Sequence, residues 1–429
     1  MERFELSQPP TSMSVQELEA RIDEISADIE VQKQLIKQLV QQLERSRSAV
    51  QRQLNSLRDP VSRLPLEISS EIFLQCLPEH SRGRPRAHSA PMLLMSICNT
   101  WSDIALSTSA LWSNIQLNSP QAKILRLWLQ RARNHTCSVT LRRALDVAVA
   151  NLLTEHSAQL KHLEIYDEDP VGSLALTAGG SFPDLETLTI CSVMNRDGEW
   201  DTPNLSDVIQ LLRLTPNLVE CTLDTLYTYD DTSPRSTTML VLPWLTCMNF
   251  GLNEHNLLSH DDILSHLSLP ALQTLVVPFN YISHADFSLF LERSSPPLQK
   301  LVTGAALPFS ELNQYLRLLP SLTHLDLFTT SQTFTDDFFP ALADSSSQFV
   351  PELRDLKIQH TISDFVYETL LPALYARRTR LASFRATSWS CTSALGAGVS
   401  DTLGELAAGG MEIYIGGAQG DLFKSSPDL

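Results

Sequence analysis

One short unit, Leu-x-x-Leu-x-Leu with substitutions, returns nine times from Leu160 onward and restricts the fold more than any other feature of the chain. Its first residues are Leu160, Leu185, Leu218, Leu245, Leu272, Leu298, Leu322, Leu353 and Leu381. The gaps between them are 25, 33, 27, 27, 26, 24, 31 and 28 residues, near the roughly 20–29-residue period of stacked repeat units with a few loop insertions. The fourth and sixth positions are apolar: Leu163 and Ile165, Leu188 and Ile190, Cys221 and Leu223, Met248 and Phe250, Leu275 and Val277, Leu325 and Leu327, Leu356 and Ile358. Two units are poor, Leu301 with Thr303 and Phe384 with Ala386. Alternation of this kind predicts a strand with one buried face.

Between these strands lie helical stretches, at Asp207 to Leu214, Asp261 to Leu267, Ser310 to Leu318 and Asp364 to Tyr375. Steps such as Leu269-Pro270 and Leu319-Pro320 end a helix and start the next strand. Units of this size cannot bury their apolar faces alone, so they are expected to stack. Upstream, Ser119-Pro120 begins a helix through Leu125, Trp128 and Leu129, and Ser138 to Leu141 reads as an edge strand. At the far end Met411 to Ile415 reads as a capping strand, with a disordered tail after Gly420.

A different pattern fills Val15 to Leu57, which holds neither Gly nor Pro. Apolar residues recur there at a heptad spacing. Position a is Val15, Ile22, Ile29, Ile36, Leu43, Val50 and Leu57; position d is Leu18, Ile25 and Leu39, interrupted by Gln32, Ser46 and Gln53. Such a helix, roughly 65 Å long at about 1.5 Å per residue, needs a partner for its apolar stripe, and self-association is the expectation. Acids gather in its first half and bases in its second, which suits an antiparallel partner; Asp28 at g facing Lys33 at e, and β-branched a positions, suit a parallel one. The alternative is a single helix folded back on the rest of the chain.

Asp59-Pro60 breaks this helix. Leu64, Pro65, Leu66, Glu67, Ile68, Ile72, Phe73, Leu74 and Leu77 then outline a short helix with Pro and an acid in its first turn. After a polar stretch, Met92, Leu93, Leu94, Ile97, Cys98 and Trp101 outline a second, followed by Ile104, Ala105, Leu111 and Trp112. About 50 residues of this kind make a core too small to be robust without a partner. The run LPLEISSEIFLQCL followed by LLMSICNTWSDIALSTSALW resembles the F-box family, on Leu64, Pro65, Glu67, Ile68, Cys98, Trp101, Leu111 and Trp112. One departure is the basic loop Ser81 to Arg86, longer than the usual connection.

An F-box followed by leucine-rich repeats is similar to a recognised family architecture, and the preceding coiled coil resembles many fungal members. The resemblance implies an α/β leucine-rich-repeat solenoid behind a small all-α F-box and a coiled-coil helix. It further implies a substrate receptor of a cullin-RING (SCF-type) ubiquitin ligase, with the F-box on the small adaptor subunit and the repeats on an unknown protein substrate. The adaptor-binding residues implied are Leu64, Pro65, Glu67, Ile68, Ile72, Leu94, Ile97, Trp101, Leu111 and Trp112. A scaffold using the same modules without promoting ubiquitination is the alternative. In such a solenoid the residue between the two inward strand residues lies on the open face, so Glu164, Thr189, Thr222, Asn249, Val276, Val302, Asp326, Lys357 and Arg385 are expected to form one row. Target binding is placed on Asn249, Val276, Val302, Asp326, Lys357 and Arg385.

The expected boundaries are a disordered start at 1–14, coiled coil at 15–58, F-box at 59–117, irregular first repeats at 118–159, repeats at 160–415 and a tail at 416–429. A net charge of −17 repels a phosphate backbone, so nucleic acid is not an expected partner. No apolar run approaches the roughly 20 residues of a membrane span, and the first residues lack a signal-peptide pattern, so the expected address is cytoplasmic or nuclear. Seven widely spaced cysteines without a C-x-x-C pair read as small core hydrophobes. Phosphate-loop, zinc-helix and nucleophile-elbow motifs do not occur, and His255, His260 and His266 fit no one-face helical pair. The expectation is therefore a chain without catalytic residues, cofactor or metal.

Overall fold

The computed structural model describes residues 14–77, 90–143, 145–168, 174, 180–193, 205–224, 239–251, 260–277, 284–305, 308–329, 332–344, 349–360, 367–388, 397–417 and 420–421. Among these, the chain divides into two compact units, one reaching Leu111 and the other starting at Trp112. Residues 1–13 of the disordered start expected at 1–14, the basic loop and most of the expected tail lie outside the described residues.

The first unit opens with α1 (Val15–Arg58), 44 residues long. A reciprocal cap starts it: the Ser14 backbone N–H donates to Glu17 Oε2 at 2.8 Å, and the Glu17 N–H donates to Ser14 Oγ at 3.3 Å, which satisfies two otherwise orphaned donors. No side chain described on α1 is buried. A single turn, Val61–Arg63, follows, and its first N–H donates to Asp59 Oδ1 at 2.9 Å.

Next come α2 (Leu66–Gln75), α3 (Met92–Ile97) and α4 (Asn99–Ser107). The sequence suggests one helix from Met92 through Trp101, but the structure divides it. Cys98 is extended (φ −158°, ψ 171°) and starts α4, where its carbonyl accepts from the Ser102 N–H at 2.9 Å. Phe73, Leu94, Ala105 and Leu111 are buried, and the Phe73 and Trp101 rings lie 5.0 Å apart.

The second unit is mixed α/β. Its strands are β1 (Asn114–Leu117), β2 (Cys137–Arg142), β3 (Leu160–Asp167), β4 (Thr187–Ser192), β5 (Glu220–Asp224), β6 (Leu240–Val241), β7 (Cys247–Asn249) and β8 (Leu267–Ser268). They continue as β9 (Thr274–Val276), β10 (Lys300–Ala305), β11 (His324–Thr329), β12 (Asp355–His360), β13 (Ser383–Ser388), β14 (Glu412–Gly417) and β15 (Gly420–Asp421). The helices are α5 (Ala122–Ala132), α6 (Val147–Glu155), α7 (Leu205–Arg213), α8 (His260–Ser265), α9 (His284–Ser294), α10 (Phe309–Arg317), α11 (Gln332–Ala343), α12 (Tyr367–Arg377) and α13 (Ala397–Ala408).

Thirteen of these strands form one sheet in chain order, with β6 and β8 as a separate pair. All pairings in the large sheet are parallel except β14 with β15. Each helix from α7 to α13 packs on the next, as α5 does on α6. Two expectations at the ends are corrected. Asn114–Leu117, grouped with the helical segment, is a strand pairing with β2 from Asn114↔Ser138 to Leu117↔Leu141. The segment at Ser138 to Leu141 therefore has neighbours on both sides and is not an edge. At the other end, β14 runs to Gly417 and β15 pairs back on it, inside what reads as tail.

The three positions of the sequence unit are buried throughout, including the poor units, where Leu301, Thr303, Phe384 and Ala386 are all enclosed. A fourth buried position was not legible as core. Phe182, Thr215, Leu242, Leu269, Leu319 and Val350 each precede a proline and each accept a hydrogen bond from the N–H of the leucine three residues on. All six are buried. Proline suits the second position of such a turn because its φ is already set.

Just before the strands runs a backbone ladder in which Glu186, Val219, Thr246, Gln273, Gln299, Thr323, Arg354, Ala382 and Glu412 donate to the unit before, at 2.8–2.9 Å. Arginines join the helices in a similar way. Arg293 on α9 donates to the Leu264 and Leu267 carbonyls at 2.6 and 3.0 Å. Arg377 on α12, itself buried, donates to those of Leu342 and Phe349 at 2.9 and 2.7 Å.

Arg377→Met keeps much of that side chain's bulk but leaves the Leu342 and Phe349 carbonyls without this donor. The expected cost is about 1–3 kcal/mol, read as a lower urea midpoint with an unchanged m-value; an unchanged midpoint would show that these bonds are not stabilising.

Candidate functional site

Two surfaces carry the sequence-predicted residues, one on each unit. On the helical unit, Leu64-Pro65 leads into α2, and Ile68 and Ile72 follow at four-residue spacing on one helix face. Leu64, Leu66, Ile68 and Ile72 on this element, with Met92, Leu93 and Ile97 on α3, are seven large apolar side chains left exposed; Ile68 is 51% and Ile97 48% accessible. Pro65 and Glu67 are exposed as well.

Three of the expected contact residues lie elsewhere. Leu94 is 3% exposed and Leu111 and Trp112 are 0% exposed, so they pack and do not present a surface. Trp112 stands edge-on to Trp128 at 5.0 Å, under the Arg131 guanidinium at 4.3 Å. Trp101 is half-buried against Phe73, and its indole Nε1 donates to Asp59 Oδ2 at 2.6 Å. Asp59 thus holds both the turn before α2 and the indole of α4, a role unread in its Asp-Pro step. Ser70 and Thr108 join α2 to the end of α4 through a 2.8 Å hydroxyl pair.

On the second unit the β3 to β13 residues expected between the buried pairs fall into register across the sheet. Glu164, Thr189, Thr222, Asn249, Val276, Val302, Asp326, Lys357 and Arg385 are consecutive Cα partners, with Thr140 before them and Tyr414 after. A parallel sheet covered on both faces would be buried at every position. Here burial alternates along the strands, for example iBiBiB in β4, so this face is open. Val302 is the most enclosed of the nine.

The charges of the row are partly neutralised. Lys357 Nζ lies 3.3 Å from Asp326 Oδ2 and 5.8 Å from the Phe328 ring centroid, while Arg385 lies 3.8 Å from Glu412. One row over, His324 Nε2 and Asp355 Oδ2 are 2.9 Å apart. Among the described residues the Asp326 Oδ1 atom has no hydrogen-bond partner. Burial pushes the Asp326 carboxyl above its usual range, opposed by the Lys357 and Lys300 ammonium groups. The structure sets one carboxylate beside Lys357 and one beside Arg385, and adds Phe328 and Tyr414 to the same face.

Among the described residues no three His, Cys, Asp or Glu side chains come together to hold a metal ion, and no helix is long and apolar enough to cross a membrane. His255 and Cys391 lie outside the described residues. Burial pushes the Cys137 and Cys191 thiols up to about 11 and about 12, far from the thiolate that reactivity needs. Cys76, expected in the core, is exposed instead. No family model and no curated protein matches the chain.

Because the folded Asp326 holds its proton more tightly than the unfolded carboxyl, wild type is favoured at low pH and loses that advantage as pH rises through the folded value. The stability of wild type relative to Asp326→Asn should therefore fall as pH rises from the usual carboxylate range through the folded value. Urea titrations of both proteins check this, and a difference that grows with pH would mean that the Lys357 attraction outweighs burial.

Proposed function

We propose that this chain is the substrate-receptor subunit of a cullin-RING (SCF-type) ubiquitin ligase. In this reading the helical unit is an F-box that docks on the ligase's adaptor subunit. The sheet is the inner layer of a leucine-rich-repeat solenoid, and its open face takes a protein target. The chain itself performs no chemistry; it holds the target near the subunits that do.

The observation that carries the reading is the set of seven exposed apolar side chains on α2, α3 and the residues before them. A monomeric unit this small gains nothing from leaving Leu64, Ile68, Ile72 and Ile97 in water, whereas a docking surface needs such a cluster. Its sequence order, Leu-Pro-x-Glu-Ile and then Cys-x-x-Trp, is the order that resembles the family. The open row from Glu164 to Arg385, with Val276 and Val302 near its centre, supplies an apolar middle with mixed charge and aromatic groups to one side, a composition suited to a protein surface. In this reading Leu94 and Leu111 support the docking unit from within.

Ile68→Glu with Ile97→Glu places charges where the structure leaves the side chains half exposed, so the fold should survive, as circular dichroism can verify. Calorimetry with the purified adaptor should show affinity for the full-length chain reduced at least about a hundredfold, the loss of about 2.7 kcal/mol or more expected of a central apolar anchor. Wild-type affinity in the folded double variant would contradict the docking surface. If the adaptor binds but proteins captured by the sheet receive no ubiquitin from the reconstituted ligase, the scaffold reading replaces the receptor one.

A further inference from the structure

Helix α1 carries thirteen exposed large apolar side chains, among them Val15 at 72%, Ile36 at 59% and Val50 at 65% accessible. Leu35, Val40 and Leu54 flank the a and d positions and widen the stripe. A stripe of this length is an association surface, and its charges identify the occupant. From Val15 to Glu30 there are six carboxylates (Glu17, Glu19, Asp23, Glu24, Asp28, Glu30) against Arg21, a net of −5. From Val31 to Arg58 there are six cations (Lys33, Lys37, Arg45, Arg47, Arg52, Arg58) against Glu44, a net of +5. The helix is thus the electrostatic complement of itself reversed.

We infer that α1 pairs with α1 of a second copy of this chain in an antiparallel coiled coil. In a parallel pair the acidic halves lie side by side, as do the basic halves, at a separation comparable to the Debye length. The attraction of Asp28 for Lys33 is then confined to the boundary between the two blocks. In an antiparallel pair every block meets its opposite along the whole seam. Glu19 and Arg47, both at e, then face each other's equivalents, and the two helix dipoles also oppose. The preference of β-branched a positions for parallel dimers acts on packing alone and is set against this whole-length difference in charge. Each assembly would carry two helical units and two open sheets, so a target presenting two copies of its epitope would be held with avidity.

The test uses the full-length chain. Sedimentation equilibrium should give a dimer, and Ile29→Asp with Ile36→Asp, both exposed positions, should give a monomer with an unchanged circular dichroism spectrum. A nitroxide at position 17, introduced through a noncanonical amino acid to avoid the native cysteines, reports orientation by pulsed electron spin resonance. An antiparallel pair predicts a separation of about 50–60 Å, from a rise of about 1.5 Å per residue. A monomeric wild type at about 50 µM, a dimer that survives the double variant, or a label separation below about 25 Å, each outside what this helix geometry allows for the inferred pair, would overturn it.

Discussion

Each strand of the large sheet can bury its leucines only because the next unit lies beside it. The buried positions, such as Leu272, Leu275 and Val277 of one unit and Leu298, Leu301 and Thr303 of the next, form continuous apolar rows with no element of their own thick enough to enclose them. The backbone ladder ahead of the strands and the arginines between helices tie the same neighbours by polar groups. That leaves the opposite sheet face without structural work to do.

Freed from the core, the open face is set by register alone. Parallel pairing without a slip from β3 to β14 aligns one residue per strand, which is why residues far apart in sequence, such as Glu164 and Arg385, belong to one row. The helical unit shows the reverse economy. Its few large buried groups, Phe73, Leu94 and Leu111 with the half-buried Trp101, are outnumbered by the seven large apolar side chains left outside. On the proposed reading, the open sheet of one unit and the apolar helical surface of the other are the two faces that join two partners.

Much of this was legible before any coordinates. The Leu-x-x-Leu-x-Leu spacing located the large-sheet strands from β3 to β13, because each apolar position is dictated by a period-2 backbone with one covered face, but not the two-residue strands β6 and β8. What escaped was of several kinds. Strand β1 is only four residues long, and Ile115 and Leu117 give too little alternation to stand out from the helical pattern before them. The contact roles of Leu94, Leu111 and Trp112 failed because an apolar pattern marks residues that avoid water without saying whether the chain's own core or another protein removes them. Thr303 shows the converse, a polar residue buried because its neighbours in the ladder are. Asp59 was hidden because a helix-breaking Asp-Pro step gives no sign of the indole it receives 42 residues later.

The account rests most heavily on the claim that the helical unit, and not the sheet, meets the adaptor. Hydrogen–deuterium exchange of the full-length chain with and without purified adaptor tests it directly. Slowed exchange is expected at residues 64–75 and 91–107, with the peptides of β9 to β13 unchanged. Protection confined to the sheet, or none at saturating adaptor, would contradict it.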